Sequence, residues 1–281
     1  MRTDASCQRG LILGSMQDAR ARLTLLAAAS ILMACGGCQI GEMKPGSKSI
    51  LEVFKQPTPA EAAAWSIDPY DPDKRYQGTL LLANAPFANE PVYIKVFTDN
   101  SRDVDPGVRA AAIRGIANHG SPALVPLLVE HMKDPDESVR IEAGRGLQRL
   151  HNPVAIPALL DALDEEKEPE VQVRAQAAEA LGQYAQNRVV DELIKALDDA
   201  NLAMNQATLA SLRTLTGQDL GFDRAAWAAW NASTTDPFAA RSVYMYPVFS
   251  RDKDWYEYLP FVSGPPNETA STPAGLQPTA Q

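Results

Sequence analysis

Two cysteines separated by two glycines are the first residues in this chain whose types and spacing could do chemistry. In Cys35-Gly36-Gly37-Cys38 the thiols stand at the spacing that lets them share a disulfide bond or a metal ion. No second CxxC pair follows, and the flanking sequence lacks the strand-helix-strand pattern of a redox domain. The pair also closes an apolar run, which favours a processing signal over a redox or metal site.

That apolar run, residues 23–34, has the length of a signal-peptide core and is too short for a stable transmembrane helix. It ends in Leu32-Met33-Ala34-Cys35, which resembles the bacterial lipobox. The resemblance implies that Cys35 is acylated and becomes the first residue of the mature chain, with Cys38 as the second choice. We therefore expect a lipoprotein of the bacterial cell envelope, anchored to a membrane and facing the periplasm or the outside.

Two questions about this signal stay open. Met16 begins a more ordinary signal peptide than Met1 does, because its charged segment lies directly before the apolar run. The sequence also does not indicate which membrane holds the anchor.

Charge and composition exclude several classes of function. The chain has 35 acidic and 26 basic side chains and a net charge of −9, so it lacks the Lys and Arg excess by which proteins bind nucleic acid. Three cysteines and three histidines are too few for a disulfide framework or an elaborate metal site. No GxGxxG, phosphate-binding lysine or GxSxG motif is present. We predict no cofactor and no enzymatic activity.

Alanine and leucine recur at helical spacing in the middle of the chain, without strand alternation. Columns of apolar residues repeat at intervals of 31, 34 and 31 residues, and each unit contains an alanine-rich first helix and a leucine-rich second helix. One helix pair cannot bury both of its apolar faces, so neighbouring pairs must stack. The clearest column is formed by Val108, Val139, Val173 and Met204.

The segment Asp105-Pro106-Gly107-Val108-Arg109 and its counterparts resemble HEAT repeats of the phycobilisome-lyase-like type over residues 103–216. The resemblance implies an all-α superhelix of the HEAT or armadillo type that binds a protein partner. The alternative is a phycobilisome-lyase-like HEAT enzyme or an accessory factor of such an enzyme. An iron-dependent HEAT hydroxylase would need repeated His-Glu pairs, whereas His119, His131 and His151 are followed by Gly, Met and Asn.

Charged residues recur at one position of the repeat. An acid stands four residues before each of three arginines, and in the fourth unit both members change together, to Asn201 and Asn205. The resemblance implies a structural ladder between repeats, while a row of arginines could also bind an anion. We favour the ladder, whose predicted members are Asp105, Arg109, Asp136, Arg140, Glu170 and Arg174.

Acids concentrate on the second helices, and the resemblance implies that these helices line the concave side. We therefore predict an acidic concave face that binds a basic protein partner, although a merely solvated face has the same composition. The candidate binding residues are Glu130, Asp161, Asp164, Asp191 and Glu192.

The regions around the repeats complete the predicted organisation. Trp227 and Trp230 lie three residues apart on a helix that we expect to cap the last repeat. Eight aromatic residues crowd between residues 236 and 262, where packing on the solenoid is favoured over a partner hot spot. The sequence leaves the oligomeric state open.

The predicted segments are a signal peptide (1–34), a tether (35–57), N-terminal cap helices (58–102), HEAT repeats (103–216), a C-terminal capping helix (217–235), an aromatic-rich extension (236–262) and a disordered tail (263–281).

Overall fold

The computed structural model describes residues 57–277 except 249, 259–261, 263 and 266. The lipidation candidates Cys35 and Cys38, the signal peptide and nearly all of the tether lie outside the described residues. In the described part of the chain all regular structure is helical apart from one isolated β-bridge. No helix within these ranges is both long and apolar enough to cross a bilayer.

Eleven α-helices follow one another in this region. They are α1 (Pro59–Ser66), α2 (Pro72–Ala83), α3 (Pro91–Asn100), α4 (Pro106–His119), α5 (Val125–His131), α6 (Glu137–Arg149), α7 (Ile156–Asp161), α8 (Val171–Leu181), α9 (Asn187–Ala196), α10 (Leu202–Thr216) and α11 (Arg224–Ser233). Short 3₁₀ turns precede α5 and α7, and a third covers Trp255–Tyr258.

Capping residues decide where several of these helices begin. Thr58 and Glu61 form a reciprocal capping box at the start of α1. Asp71, Asn201 and Asp223 accept backbone N–H groups at the starts of α2, α10 and α11. Helices α1 to α4 also begin with proline, whose missing N–H costs nothing in the first turn.

The repeat columns form the core. The column of Val108, Val139, Val173 and Met204 is fully buried, as are Leu128, Leu159 and Leu193 of the second helices. Small residues allow the first helices to approach closely: a Cβ atom added at Gly144 would lie 2.9 Å from the Cβ atom of Gln176 on the next first helix. The predicted all-α stack of helix pairs is confirmed.

The helices form two rows. The first helices α2, α4, α6, α8 and α10 pack consecutively against one another, and we call them the inner row. The second helices α3, α5, α7 and α9, followed by α11, form the outer row. Helices α5, α7 and α9 pack mainly on the first helix of the following repeat, namely α6, α8 and α10. The predicted assignment of the second helices to the concave side stays a prediction.

One arginine in each repeat binds the acid at the start of the next repeat. Arg109 donates from Nε and Nη2 to the two carboxylate oxygens of Asp134, at 2.8 and 2.7 Å. Arg140 donates in the same bidentate way to Glu168, at 2.8 and 3.0 Å. Equivalent ion pairs join Arg75 to Asp103 and Arg174 to Asp199. The ladder therefore runs from α2 to the loop before α10.

Each of these arginines also binds the loop at the start of its own helix. The Nη1 group of Arg140 donates to the carbonyl oxygens of Asp134 and Pro135, at 2.9 and 3.3 Å. The carboxylate of Glu168 in turn accepts the backbone N–H of Glu170 at 3.0 Å. The Arg140 and Glu168 side chains are only 13% and 7% exposed. One guanidinium group thus fixes two consecutive loops at a site that is largely shielded from solvent.

The ladder acids differ from the predicted ones. Asp105 and Asp136 are N-cap residues, which accept the backbone N–H groups of Val108 and Ser138. Glu170 precedes α8 without a side-chain capping bond. An N-cap residue has extended backbone geometry that directs its side chain to the first turn, so helical i,i+4 pairing does not apply to it. The acids that pair between repeats stand two residues earlier.

The ion pairs favour the charged form of two ladder carboxylates, Asp103 and Asp134. Burial opposes ionisation of Asp134, but hydrogen bonds from Arg109 and from the Asp136 N–H outweigh it and hold the pKa of Asp134 below its ordinary value. The same balance lowers the pKa of Asp103 beside Arg75.

The closing helix α11 covers the last repeat through one tryptophan. Trp227 is fully buried in the core and donates from Nε1 to the carbonyl oxygen of Gly221 at 2.8 Å. Trp230 packs against it edge to face, with ring centroids 5.9 Å apart.

The C-terminal segment returns to the repeats. Tyr244 and Pro273 are buried, and Ala274 lies against the end of α6. Disorder was predicted for the whole tail, but backbone hydrogen bonds to Arg149 and His151 hold Ala274 in place. A composition rich in Pro, Thr and Ala does not reveal such contacts, because backbone groups make them.

We expect Arg140→Ala to lower the free energy of unfolding by about 3–5 kcal/mol, because Glu168 and two loop carbonyls would remain buried without their partner. Urea unfolding at pH 7 measures the loss. Arg213→Ala is the matched control: Arg213 forms an exposed ion pair with Asp219, so its removal should cost less than about 1 kcal/mol. Equal losses for both variants would contradict a stabilising ladder.

We expect Trp227→Ala to lower the free energy of unfolding by about 3–5 kcal/mol, because it leaves a large cavity at the end of the core. Trp255→Ala removes the same atoms from a side chain that is 80% exposed and should change stability by less than about 0.5 kcal/mol. A similarly small loss at Trp227 would mean that α11 does not cap the solenoid.

Candidate interaction surface on the inner helix row

A cleft of about 400 Å³ opens on the inner row. Leu80, Ala110, Ala111 and Ile141 supply apolar surface, and Tyr76 contributes an aromatic side chain. The remaining lining residues are polar or glycine: Gly107, Arg114, Ser138, Glu142, Arg145 and Gln172. Apolar surface beside arginine and tyrosine is the composition of energetically important centres in protein interfaces.

Two arginines of the cleft share one carboxylate. Arg114 donates from Nη2 and Nε to Glu142, at 2.5 and 3.2 Å, and Arg145 donates from Nη1 to the same carboxylate at 2.9 Å. Glu142 is 10% exposed, whereas the arginines are 39% and 42% exposed. The hydrogen bond to Glu142 raises the pKa of Arg114, so its charge is permanent. This trio carries one positive charge in excess.

A second polar group lies further along the inner row. Gln148 donates from Nε2 to the side-chain oxygen of Gln176 at 2.6 Å and to Glu179 at 3.0 Å. Burial raises the pKa of Glu179, and the hydrogen bond from Gln148 and the charge of Arg145 offset this effect only in part. The inner row therefore carries a second polar cluster in addition to the Arg114–Glu142–Arg145 trio.

The predicted acidic binding residues lie on the outer row or directly after it, and each has a nearby partner. Asp161 and Asp164 lie 2.5 and 4.0 Å from the ammonium group of Lys167. The partners of Glu130, Asp191 and Glu192 are Arg102 at 3.9 Å, Asn231 at 2.7 Å and Lys195 at 2.7 Å. These partners offset part of the negative charge along the outer row.

The histidines have ordinary structural contacts. His119 Nε2 lies 2.9 Å from the carbonyl oxygen of Ala83, and His151 Nδ1 lies 2.9 Å from the Gln183 side chain. His131 is buried beside Asp134, and this burial lowers its pKa. In the described ranges, no cluster of three or more His, Cys, Asp or Glu residues could hold a metal ion.

The aromatic extension divides into two parts. Phe238 packs against the core, Tyr244 is buried, and the Arg149 guanidinium lies 4.9 Å above the Tyr246 ring. Trp255 and Tyr258 are 80% and 72% exposed. The predicted packing thus applies to the first part of the extension.

Comparisons with known families identify the repeats. Residues 94–172 match the family of HEAT repeats, and residues 173–199 match the PBS lyase HEAT-like repeat. The helix pairs of residues 94–199 are therefore similar to HEAT repeats. The HEAT resemblance of the sequence is therefore confirmed over most of the predicted repeat region, and the match begins within α3, ahead of the predicted boundary.

Solved structures with similar folds include an engineered protein from a structural genomics consortium. It is 17% identical, with 56% of this chain and 78% of that chain covered and a TM-score of 0.43. The complex of CpcE and CpcF of phycocyanin lyase from Nostoc sp. PCC7120 is 20% identical, with coverages of 62% and 81% and a TM-score of 0.38. No curated protein matches this chain.

The Arg114–Glu142–Arg145 trio was not predicted, although the amino-acid sequence contains a signal for it. Arg114 and Arg145 are 31 residues apart and so occupy the same position of consecutive repeats, and Glu142 stands three residues before Arg145. A recurring arginine with an acid one turn away indicates a charged seam between two helices.

Proposed function

We propose that this protein is a lipid-anchored scaffold of the bacterial cell envelope that binds a protein partner on the inner row of its HEAT solenoid. The observation that carries this proposal is the cleft beside Arg114 and Arg145, where apolar surface adjoins two half-exposed guanidinium groups. The extended surfaces that stacked repeats create are the usual working surfaces of solenoids. We propose binding and no catalysis, since no catalytic motif occurs in the sequence.

The charge of the cleft favours an acidic group on the partner. Two guanidinium groups share one carboxylate, and the hydrogen bonds to Glu142 use two donor groups of Arg114 and one of Arg145. A second carboxylate, from an Asp or Glu of the partner, would neutralise the excess charge and form charge-assisted hydrogen bonds. We therefore propose an acidic partner in place of the basic partner expected from the sequence. The acids that led to that expectation lie along the outer row, next to lysine and arginine side chains and one asparagine amide.

Attachment to the membrane rests on the sequence Leu32-Met33-Ala34-Cys35. A single acyl chain gives only marginal membrane binding, so the multiple chains of a bacterial lipoprotein would hold the solenoid permanently at the surface. The scaffold would then act at the membrane face.

We expect Cys35→Ser to move the protein from the membrane fraction to the soluble fraction of cells, because the acceptor of the lipid is removed. Cys38→Ser is the matched control and should leave the protein in the membrane fraction. Fractionation with immunodetection, together with the mass of the mature N-terminus, measures both. An unmodified Cys35 in the mature protein would contradict the anchor.

We expect the double variant Arg114→Ala, Arg145→Ala to weaken binding of the partner captured by in-cell crosslinking by about 30-fold or more, as truncation of an interface centre does. The control Asp161→Ala, Asp191→Ala removes two outer-row acids and should change affinity less than threefold, within the roughly 0–1 kcal/mol of exposed pairs. Titration calorimetry with the purified partner measures both. The reverse order of effects would place the working surface on the outer row.

A further inference from the structure

The tail of this chain adds a short extended segment to the end of helix α6. The backbone N–H of Ala274 donates to the carbonyl oxygen of Arg149 at 2.8 Å, and the N–H of His151 donates to the carbonyl oxygen of Ala274 at 2.9 Å. The two bonds form a parallel β-bridge between Leu150 and Ala274. They are the backbone contacts by which extended peptides attach to an exposed edge.

The edge exists because of how α6 ends. Leu150, its C-cap residue, has φ −119° and ψ 112°, so the chain leaves the helix in an extended conformation. The last carbonyl groups of a helix have no partner within the helix and need one from elsewhere. At this end Arg149 and His151 offer one acceptor and one donor to a second extended chain, and Ala274 fills both positions.

Side chains give the contact sequence selectivity. Glu268 forms an ion pair with Arg149, whose guanidinium group also covers the Tyr246 ring. Pro273 is buried at the contact. Gly275 has φ +87°, and a Cβ atom there would lie 2.5 Å from Cγ of Pro122 and 3.2 Å from the carbonyl oxygen of His151. The edge therefore accepts a carboxylate followed by a Pro-small-Gly sequence and excludes a side chain at the glycine position.

We propose that the edge formed by Arg149, Leu150 and His151 is a peptide-docking site, and that residues 267–277 occupy it as a competitor in cis. Its ligand in a partner protein is an extended acidic segment with a proline and a glycine placed as in the tail. The observation that carries this assignment is the fit of the tail itself: two backbone bonds, one ion pair and one glycine-only position.

The covalent link to the solenoid makes the tail a strong competitor. Covalent attachment raises the effective concentration of a segment at its site, so a free peptide at micromolar concentration cannot replace it easily. A partner segment gains access when its other contacts raise its own effective concentration. The edge shares no lining residue with the Arg114 and Arg145 cleft, although the charge of Glu268 also acts on Arg114. This inference therefore does not depend on the proposed function.

The test uses the full chain and a labelled synthetic peptide of residues 267–277, with binding measured by fluorescence anisotropy. The chain variant Gly275→Val displaces the tail and leaves the edge intact. We expect it to bind the peptide at least about tenfold more tightly than the wild-type chain does, as the loss of a tethered competitor requires. Thr269→Val, at an exposed tail position, is the matched control and should bind as weakly as wild type.

Peptide variants test the recognised chemistry with the Gly275→Val chain as receptor. Peptides carrying Gly275→Val or Glu268→Gln should each bind at least about fivefold more weakly than the wild-type peptide, because a single missing contact of this kind costs about 1 kcal/mol or more. Equal binding of all three peptides would overturn the assignment, and so would a Gly275→Val chain that binds no better than wild type.

A second chain variant keeps the test decisive if the valine impairs folding. Glu268→Arg places a like charge beside Arg149 and releases the same tail without strain at Gly275. It should show the same gain in peptide binding, with an unchanged circular dichroism spectrum. Absence of a gain in this folded variant would overturn the proposal.

Discussion

A buried arginine that binds two consecutive loops at once is the interaction on which the stack of helix pairs depends. Arg140 joins the carbonyl groups of its own loop to the carboxylate of Glu168 in the next, and that carboxylate holds the Glu170 N–H at the start of α8. Helix packing alone allows neighbouring pairs to slide or rotate, because apolar contacts are not directional. The repeated ion pairs fix the register of each pair on the next.

The ladder fixes the register of the helix pairs because its side chains are largely shielded from solvent. Its side chains are mostly less than 15% exposed, whereas the outer-row pairs such as Lys167–Asp161 are more than half exposed. Exposed ion pairs contribute little to stability, and a buried charge without its partner is strongly unfavourable. The same chain therefore uses arginine and acid in two ways: as a structural joint between repeats and as a solvated surface on the outside.

The close inner row that the ladder aligns also creates the surfaces available for binding. Helices with alanine and glycine at their contacts approach closely, so the longer side chains of Tyr76, Arg114, Ile141 and Arg145 surround a cleft above them. Where α6 ends, its unpaired backbone groups receive the tail of the chain. The cleft combines side chains of four first helices, and the edge joins the end of α6 to a tail that is distant in sequence.

The periodic spacing of alanine, valine and leucine determined the helix pairs, their stacking and the buried columns, because burial of apolar surface follows periodicity alone. The sequence also contained the ladder acids: Asp103, Asp134, Glu168 and Asp199 recur at intervals of 31, 34 and 31. Spacing within one helix nevertheless pointed to Asp105, Asp136 and Glu170, since only the fold shows that an arginine reaches the following loop. The tertiary structure alone decided which acids the ladder arginines reach, that Arg114 and Arg145 meet at Glu142, and that Ala274 pairs with Leu150. These contacts join residues that are distant in sequence, and their geometry depends on how closely the helices pack, which local periodicity does not specify.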